Sequence, residues 1–149
     1  MMKMRTPTVL LAFMLLSNVP ARGQNAVIGY IKSLDGHASV THGHLTYAAS
    51  LGGAIYEGDT LRTFWDGEIG VTFKDNTRIS LGPSSRVKIP RFVFEPAEER
   101  YGFVLQLLNG TMQYLSGLTA KLSPDAMKVE TPTATVGVRG TRFLARAEP

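Results

Sequence analysis

The stretch from Glu68 to Phe94 alternates apolar and polar residues, and a chain that alternates this way is committed to strands. Ile69, Val71 and Phe73 fall on one side, with Glu68, Gly70 and Thr72 on the other. After Lys74-Asp75-Asn76, Ile79 and Leu81 face in while Arg78 and Ser80 face out. Gly82-Pro83-Ser84-Ser85 turns the chain again, and Val87, Ile89, Phe92 and Phe94 continue the pattern. Pro90 interrupts it by removing a backbone donor, which predicts an edge or a bend.

The remainder extends the same scheme. Gly29–Leu34 leads into Asp35-Gly36, a two-residue hairpin signal, and His37–His42 follows. Thr60–Thr63 is short and β-prone. Phe103–Leu108 is almost continuously apolar, which predicts a central strand buried on both faces. Asn109-Gly110 predicts another hairpin into Thr111–Leu115. Residues 116–127 read as a short helical turn or an exposed loop, and Lys128–Glu130, Ala134–Val138 and Thr141–Ala145 as closing strands. No stretch after the N-terminal segment holds 12 or more residues of helical period. The expected class is all-β, a compact single domain of about ten to twelve short strands in a sandwich or roll. Loosely similar units of about 20 residues between Thr60 and Phe94 leave a solenoid-like stacking as the alternative.

Residues 1–23 read as a cleavable signal peptide. Lys3 and Arg5 precede an unbroken apolar run of eight residues, Val9–Leu16, and Ala21-x-Gly23 offers small residues ahead of a cut. Eight residues make about 12 Å of helix, well short of the roughly 30 Å hydrocarbon core, so an anchor is not expected. The product is expected in the periplasm or secreted, with no transmembrane helix. The 149 residues include 16 Lys and Arg against 12 Asp and Glu. Three of the basic residues, Lys3, Arg5 and Arg22, lie in that leader, leaving 13 against 12. A nearly neutral domain lacks the electrostatic footprint of a nucleic-acid binder. Cysteine is absent, which excludes disulfides, thiolate metal sites and a Cys nucleophile.

Two segments go beyond generic β patterning. The first opens with Gly58-Asp59-Thr60-Leu61-Arg62-Thr63 and continues through Ile69–Ser85, including Phe73, Asp75, Gly82 and Ser85. The second is Thr131-Pro132-Thr133-Ala134-Thr135-Val136-Gly137-Val138-Arg139-Gly140-Thr141-Arg142-Phe143. In order and spacing they resemble the FecR-type domain, as does the opening Gly36-x-Ala38-x-Val40, and the likeness spans about residues 28–145. The domain is accordingly bounded at 27–146. In the namesake proteins a cytoplasmic portion holds a sigma factor and a periplasmic portion hears from a TonB-dependent receptor. With eight residues ahead of the apolar run and the last motif ending close to residue 149, neither the cytoplasmic portion nor the receptor-contacting portion of the namesakes is expected here. The chain therefore reads as a free-standing exported domain of this type, with any control of a sigma factor exerted only through a partner protein.

The motif residues also have a direct physical reading. Gly58 suits a turn at positive φ, and Asp59 can accept a local amide. Pro132 fixes φ and keeps Thr131 extended. Val136 and Val138 share a face, so removing the chain before Val136 should expose strand edges. Arg139 beside Gly140 suits a structural brace, with a binding contact as the alternative.

Chemistry is sparse. His37, His42 and His44 read as a polar hairpin rather than a metal site, and Glu57, Asp59, Asp66, Glu68 and Asp75 as turn residues. G-x-S-x-G, H-E-x-x-H and Walker patterns are missing, so neither an enzyme nor a cofactor is expected. Trp65 is expected to cap an open end of the core, with a sugar-stacking platform as the alternative. The resulting expectation is noncovalent binding or regulation, with an envelope protein as partner. A glycan or peptidoglycan module and a periplasmic component of sigma-factor signalling are the alternatives.

Overall fold

The computed structural model describes residues 25–149. The expected signal peptide lies outside them. Twelve strands form one curled sheet. They are β1 (Val27–Asp35), β2 (Ala38–His42), β3 (Leu45–Ala48), β4 (Ala54–Tyr56), β5 (Thr60–Thr63), β6 (Glu68–Phe73), β7 (Arg78–Leu81), β8 (Arg86–Glu95), β9 (Arg100–Leu115), β10 (Met127–Glu130), β11 (Thr135–Gly137) and β12 (Arg142–Ala147). The all-β expectation holds.

The sheet has two walls that meet in β9. One wall runs β4-β1-β6-β7-β9-β12, the other β3-β2-β5-β8-β9-β10-β11. All pairings are antiparallel except β9 with β10. The wall order explains the architecture. Along one side of the roll β1 bends into β2, β5 into β6 and β7 into β8, each from one wall to the other, and β9 makes the fourth such bend within a single strand. Four bent ribbons thus lie side by side. This accounts for the similar units between Thr60 and Phe94, and the antiparallel pairing makes the molecule a roll rather than a parallel-coiled solenoid.

Two hairpin expectations are corrected by this arrangement. Asp35-Gly36 does not close a hairpin, because β1 pairs with β4 and β6 whereas β2 pairs with β3 and β5. Gly82–Ser85 turns the chain as expected, from β7 in one wall to β8 in the other. Asn109-Gly110 does not end a strand: β9 runs through it, pairing with β8 before the kink and with β7 and β12 after it. Gly110 takes φ +90°, and a Cβ there would stand 2.2–2.6 Å from Ser85 atoms. Only glycine allows the bend and the close approach together.

The core fills the space between the walls. Its members include Val40, Ile55, Leu61, Ile79, Leu105, Leu107 and Met112, all under 2% exposed. Full burial of side chains this size contributes roughly 1.5–3 kcal/mol each. Phe103 packs edge-on against Phe73 and Phe92, with ring centroids 4.8 Å apart in both pairs. In Phe103–Leu108 only Phe103, Leu105 and Leu107 are fully buried; Val104 and Gln106 are half-buried and Leu108 is exposed. Burial on both faces is therefore corrected to burial on one, because only one side of the wall meets the core. The register of β8 with β9 shifts between Lys88 and Arg91, around Pro90.

The ambiguous stretch 116–127 resolves into a short helix, α1 (Leu118–Leu122), and a 3₁₀ turn over Pro124–Ala126. They carry the chain across from β9 to the parallel β10. The last strands lie close to expectation, although β11 ends at Gly137. Val138 is buried past its end while Val136 is exposed, so the two valines do not share one environment.

Candidate functional site

The motif residues sit at the bends and fasten them. At the β4–β5 bend, Gly58 takes φ +87° as anticipated. Asp59, fully buried, accepts the Tyr56 amide at 2.9 Å and the His42 Nδ1–H at 2.5 Å. Thr63 Oγ1 donates to the Gly82 carbonyl at 2.6 Å and accepts the Ser85 amide at 2.9 Å. Ser85 Oγ in turn accepts the Thr111 amide at 2.9 Å. At the opposite end, Asp75 accepts the Thr77 amide and hydroxyl at 2.9 and 2.8 Å and the Thr119 amide at 3.3 Å. Asp59 and Asp75 therefore do more than shape turns, since each bonds a segment distant in sequence.

The closing motif is more open. Thr131 forms a tight loop with Ala134, its amide donating to the Ala134 carbonyl at 2.8 Å and leaving Pro132 exposed at the tip. Gly137 pairs with Lys128. Ser116 donates its hydroxyl to the Gly140 carbonyl at 2.6 Å and its amide to the Thr141 carbonyl at 2.8 Å. Phe143 stacks on buried Tyr114 with centroids 4.7 Å apart. Arg139 is exposed and makes no side-chain hydrogen bond or ion pair among the described residues, which corrects its reading as a brace. It lines a groove of about 160 Å³ with Pro124, Asp125 and Lys128.

The bends of the four ribbons stack into a ridge. The Phe64 amide donates to the His37 carbonyl at 3.0 Å, and the Ser84 amide to the Phe64 carbonyl at 2.9 Å. Asn109 Nδ2 donates to the Ser84 carbonyl at 2.8 Å. These bonds satisfy backbone groups that the bends would otherwise leave unpaired. Trp65 stands on this ridge at 83% exposure. The expectation that it caps the core is overturned, because the ring lies on the outside of a bend whose inner side is already filled by backbone.

A groove flanks Trp65 on each side. One, of about 260 Å³, is lined by His37, Phe64 and Asp66. The other, of about 270 Å³, is lined by Arg62, Ser84, Arg86 and Asn109. The Arg62 guanidinium lies over the Phe64 ring at 4.9 Å. His37 Nδ1 donates to Asp66 at 2.6 Å, and this hydrogen bond holds the Asp66 carboxyl below its usual range. Trp65 and Arg139 line separate grooves and are not brought together. Of the three histidines, His37 and His42 are held by different carboxylates, Asp66 and Asp59. The run Arg62-x-Phe64-Trp65-Asp66 is visible in sequence, but Arg86 and Asn109 join it only through the stacking of bends.

Aromatic and Arg side chains around an exposed rim suit noncovalent docking. No curated protein and no solved structure matches the chain. Against protein-family models, residues 59–149 match the family described as FecR protein. That match covers most of the chain and takes in both motif segments from Asp59 onward, and the chain belongs to the FecR family.

Proposed function

We propose that this FecR-family protein is exported to the cell envelope and acts there as a non-catalytic regulatory domain that docks a protein partner. The family is a regulatory one, which supports signalling by binding. The observation that carries the docking reading is the Trp65 ridge. An 83% exposed indole sits beside Phe64, with Arg62 and Arg86 at its flank. Trp and Arg dominate the energetics of protein interfaces, and a rim of stacked bends presents them on a rigid support. The leader features of residues 1–23 support export. A route to a sigma factor would run through the docked partner.

A glycan reading has one observation in its favour, the same exposed indole, which could stack on a sugar ring. The experiment that separates the two uses the Trp65→Ala protein beside the wild type. A specific envelope protein captured by the wild type and lost with the variant supports protein docking. Sedimentation of the wild type with purified cell wall, lost with the variant, supports the glycan reading. Capture that is indifferent to Trp65→Ala removes the ridge from either role.

A further inference from the structure

The second wall ends on β3, and that edge is unlike the other three. From Gly36 to Tyr56 the chain passes through 21 residues without one Asp, Glu, Lys or Arg. β3 lies inside this run. It pairs with β2 on one side only, and all four of its residues are exposed. Soluble sheets ordinarily defend an edge by shortness, charge or proline. The other edges comply: β4 and β11 are three residues each, and β12 carries Arg142 and Arg146. β3, at four residues, is only slightly longer than β4 and β11, but it carries neither a charge nor a proline.

Its apolar side chains also point the wrong way for a free edge. Tyr47 lies opposite Val40, and Leu45 opposite His42. Residues directly opposite in an antiparallel pair project to the same face. Val40 is fully buried in the core, so Leu45 and Tyr47 lie on the core-side face of the wall. Yet Leu45 is 72% exposed and Tyr47 45%, and Leu51 just beyond is 70% exposed. The core-side face therefore extends one strand past the material that covers it.

We propose that β3 pairs with β3 of a second copy of this chain, antiparallel about a two-fold axis, so that the second wall runs on from one molecule into the next. A two-fold contact sets each strand against its own copy, and like charges directly opposite are destabilising. A charge-free edge is the composition such a contact requires, whereas a different, charged partner would leave complementary charges on β3. Pairing satisfies the open row of backbone donors and acceptors and draws Leu45 and Tyr47 of both copies together. The strands are short, so the dimer is small and dissociates in roughly the micromolar range.

Sedimentation equilibrium of the native protein over a range of concentrations tests this. The expected result is twice the monomer mass at high concentration. Leu45→Lys should raise the dissociation constant at least about tenfold, because it replaces the apolar contact between Leu45 and Tyr47 of the second copy with a charge that must be desolvated on each side of the axis. Leu144→Lys, equally exposed on β12, should leave the dimer unchanged. Thermal unfolding of each variant checks the fold, and Ala48→Glu, on the opposite face of β3, replaces Leu45→Lys if that variant is unfolded. A wild type that remains monomeric, a dimer insensitive to the β3 variant, or open-ended assembly in place of a dimer each overturns the proposal.

Discussion

Asp75 and Thr119 are 44 positions apart, yet the Asp75 carboxylate accepts the Thr119 amide at 3.3 Å in a site closed to solvent. The Asp75 carbonyl also accepts the Leu118 amide at 2.6 Å. One residue thus shapes the β6–β7 hairpin and anchors the start of α1, which returns the chain toward β10. Asp75→Ala leaves the buried Thr77 and Thr119 donors without their acceptor. The expected loss is about 2–4 kcal/mol of stability, read by urea denaturation. A loss confined to a few tenths would show that water replaces the carboxylate and that the anchor is dispensable.

Gly110 is expected to be among the least replaceable glycines. Gly110→Ala combines positive φ with a Cβ driven into Ser85, and about 2–4 kcal/mol should be lost. Gly43→Ala provides the comparison. Its φ is +59° but the space around it is open, so the cost should be nearer 1 kcal/mol. Equal denaturation midpoints for the two variants would contradict the close approach of β9 to the Ser85 bend.

Burial pushes the Tyr114 hydroxyl above its ordinary value of 10.0. The folded state therefore holds the phenolic proton more tightly than the unfolded chain does. The corresponding stability is complete below about pH 10 and is lost as pH climbs through the raised folded value. Alkaline unfolding should accompany phenolate formation by Tyr114, and Tyr114→Phe should weaken the alkaline decline. Phenolate absorbance followed alongside circular dichroism measures both; a Tyr114 that titrates at its ordinary value within an intact fold would refute this.

Trp65 is the single tryptophan, so its fluorescence reports the ridge without interference. Emission should be red-shifted and iodide should quench it readily in the free protein. Trp65→Ala should change the unfolding midpoint within about 0.5 kcal/mol, as for surface substitutions, while removing partner capture. Protected, blue-shifted emission in the absence of any partner would place the ring in an interface already formed.

The bond between His37 and Asp66 couples one flank of that ridge to pH. Asp66 is held low by His37, so its contribution is present above the ordinary carboxylate value and lost as pH falls through the lowered one. His37→Ala should return Asp66 upward toward 3.8, an outcome that carboxyl chemical shifts would follow directly. An Asp66 titration unchanged by His37→Ala would mean that the bond does not persist in solution.

Much of this molecule is written locally. Ile69, Val71 and Phe73 alternate with polar neighbours, and alternation alone requires a strand with one buried face. The motifs around Gly58-Asp59 and Thr131–Phe143 likewise identify the family, because residue types and spacing alone carry the match. What a turn joins is different. Asp35-Gly36 and Asn109-Gly110 have hairpin composition, but a hairpin forms only if the flanking strands find each other better than they find β6, β5, β7 or β12. That competition is settled by the assembled core, where bending each ribbon between two walls buries apolar groups of strands far apart in sequence. The same assembly decides which side of a bend is filled, leaving Trp65 outside and bringing Arg86 and Asn109 beside it. Local pattern dictates strands and their inner faces; long-range burial dictates their partners, and with them the surface available for binding.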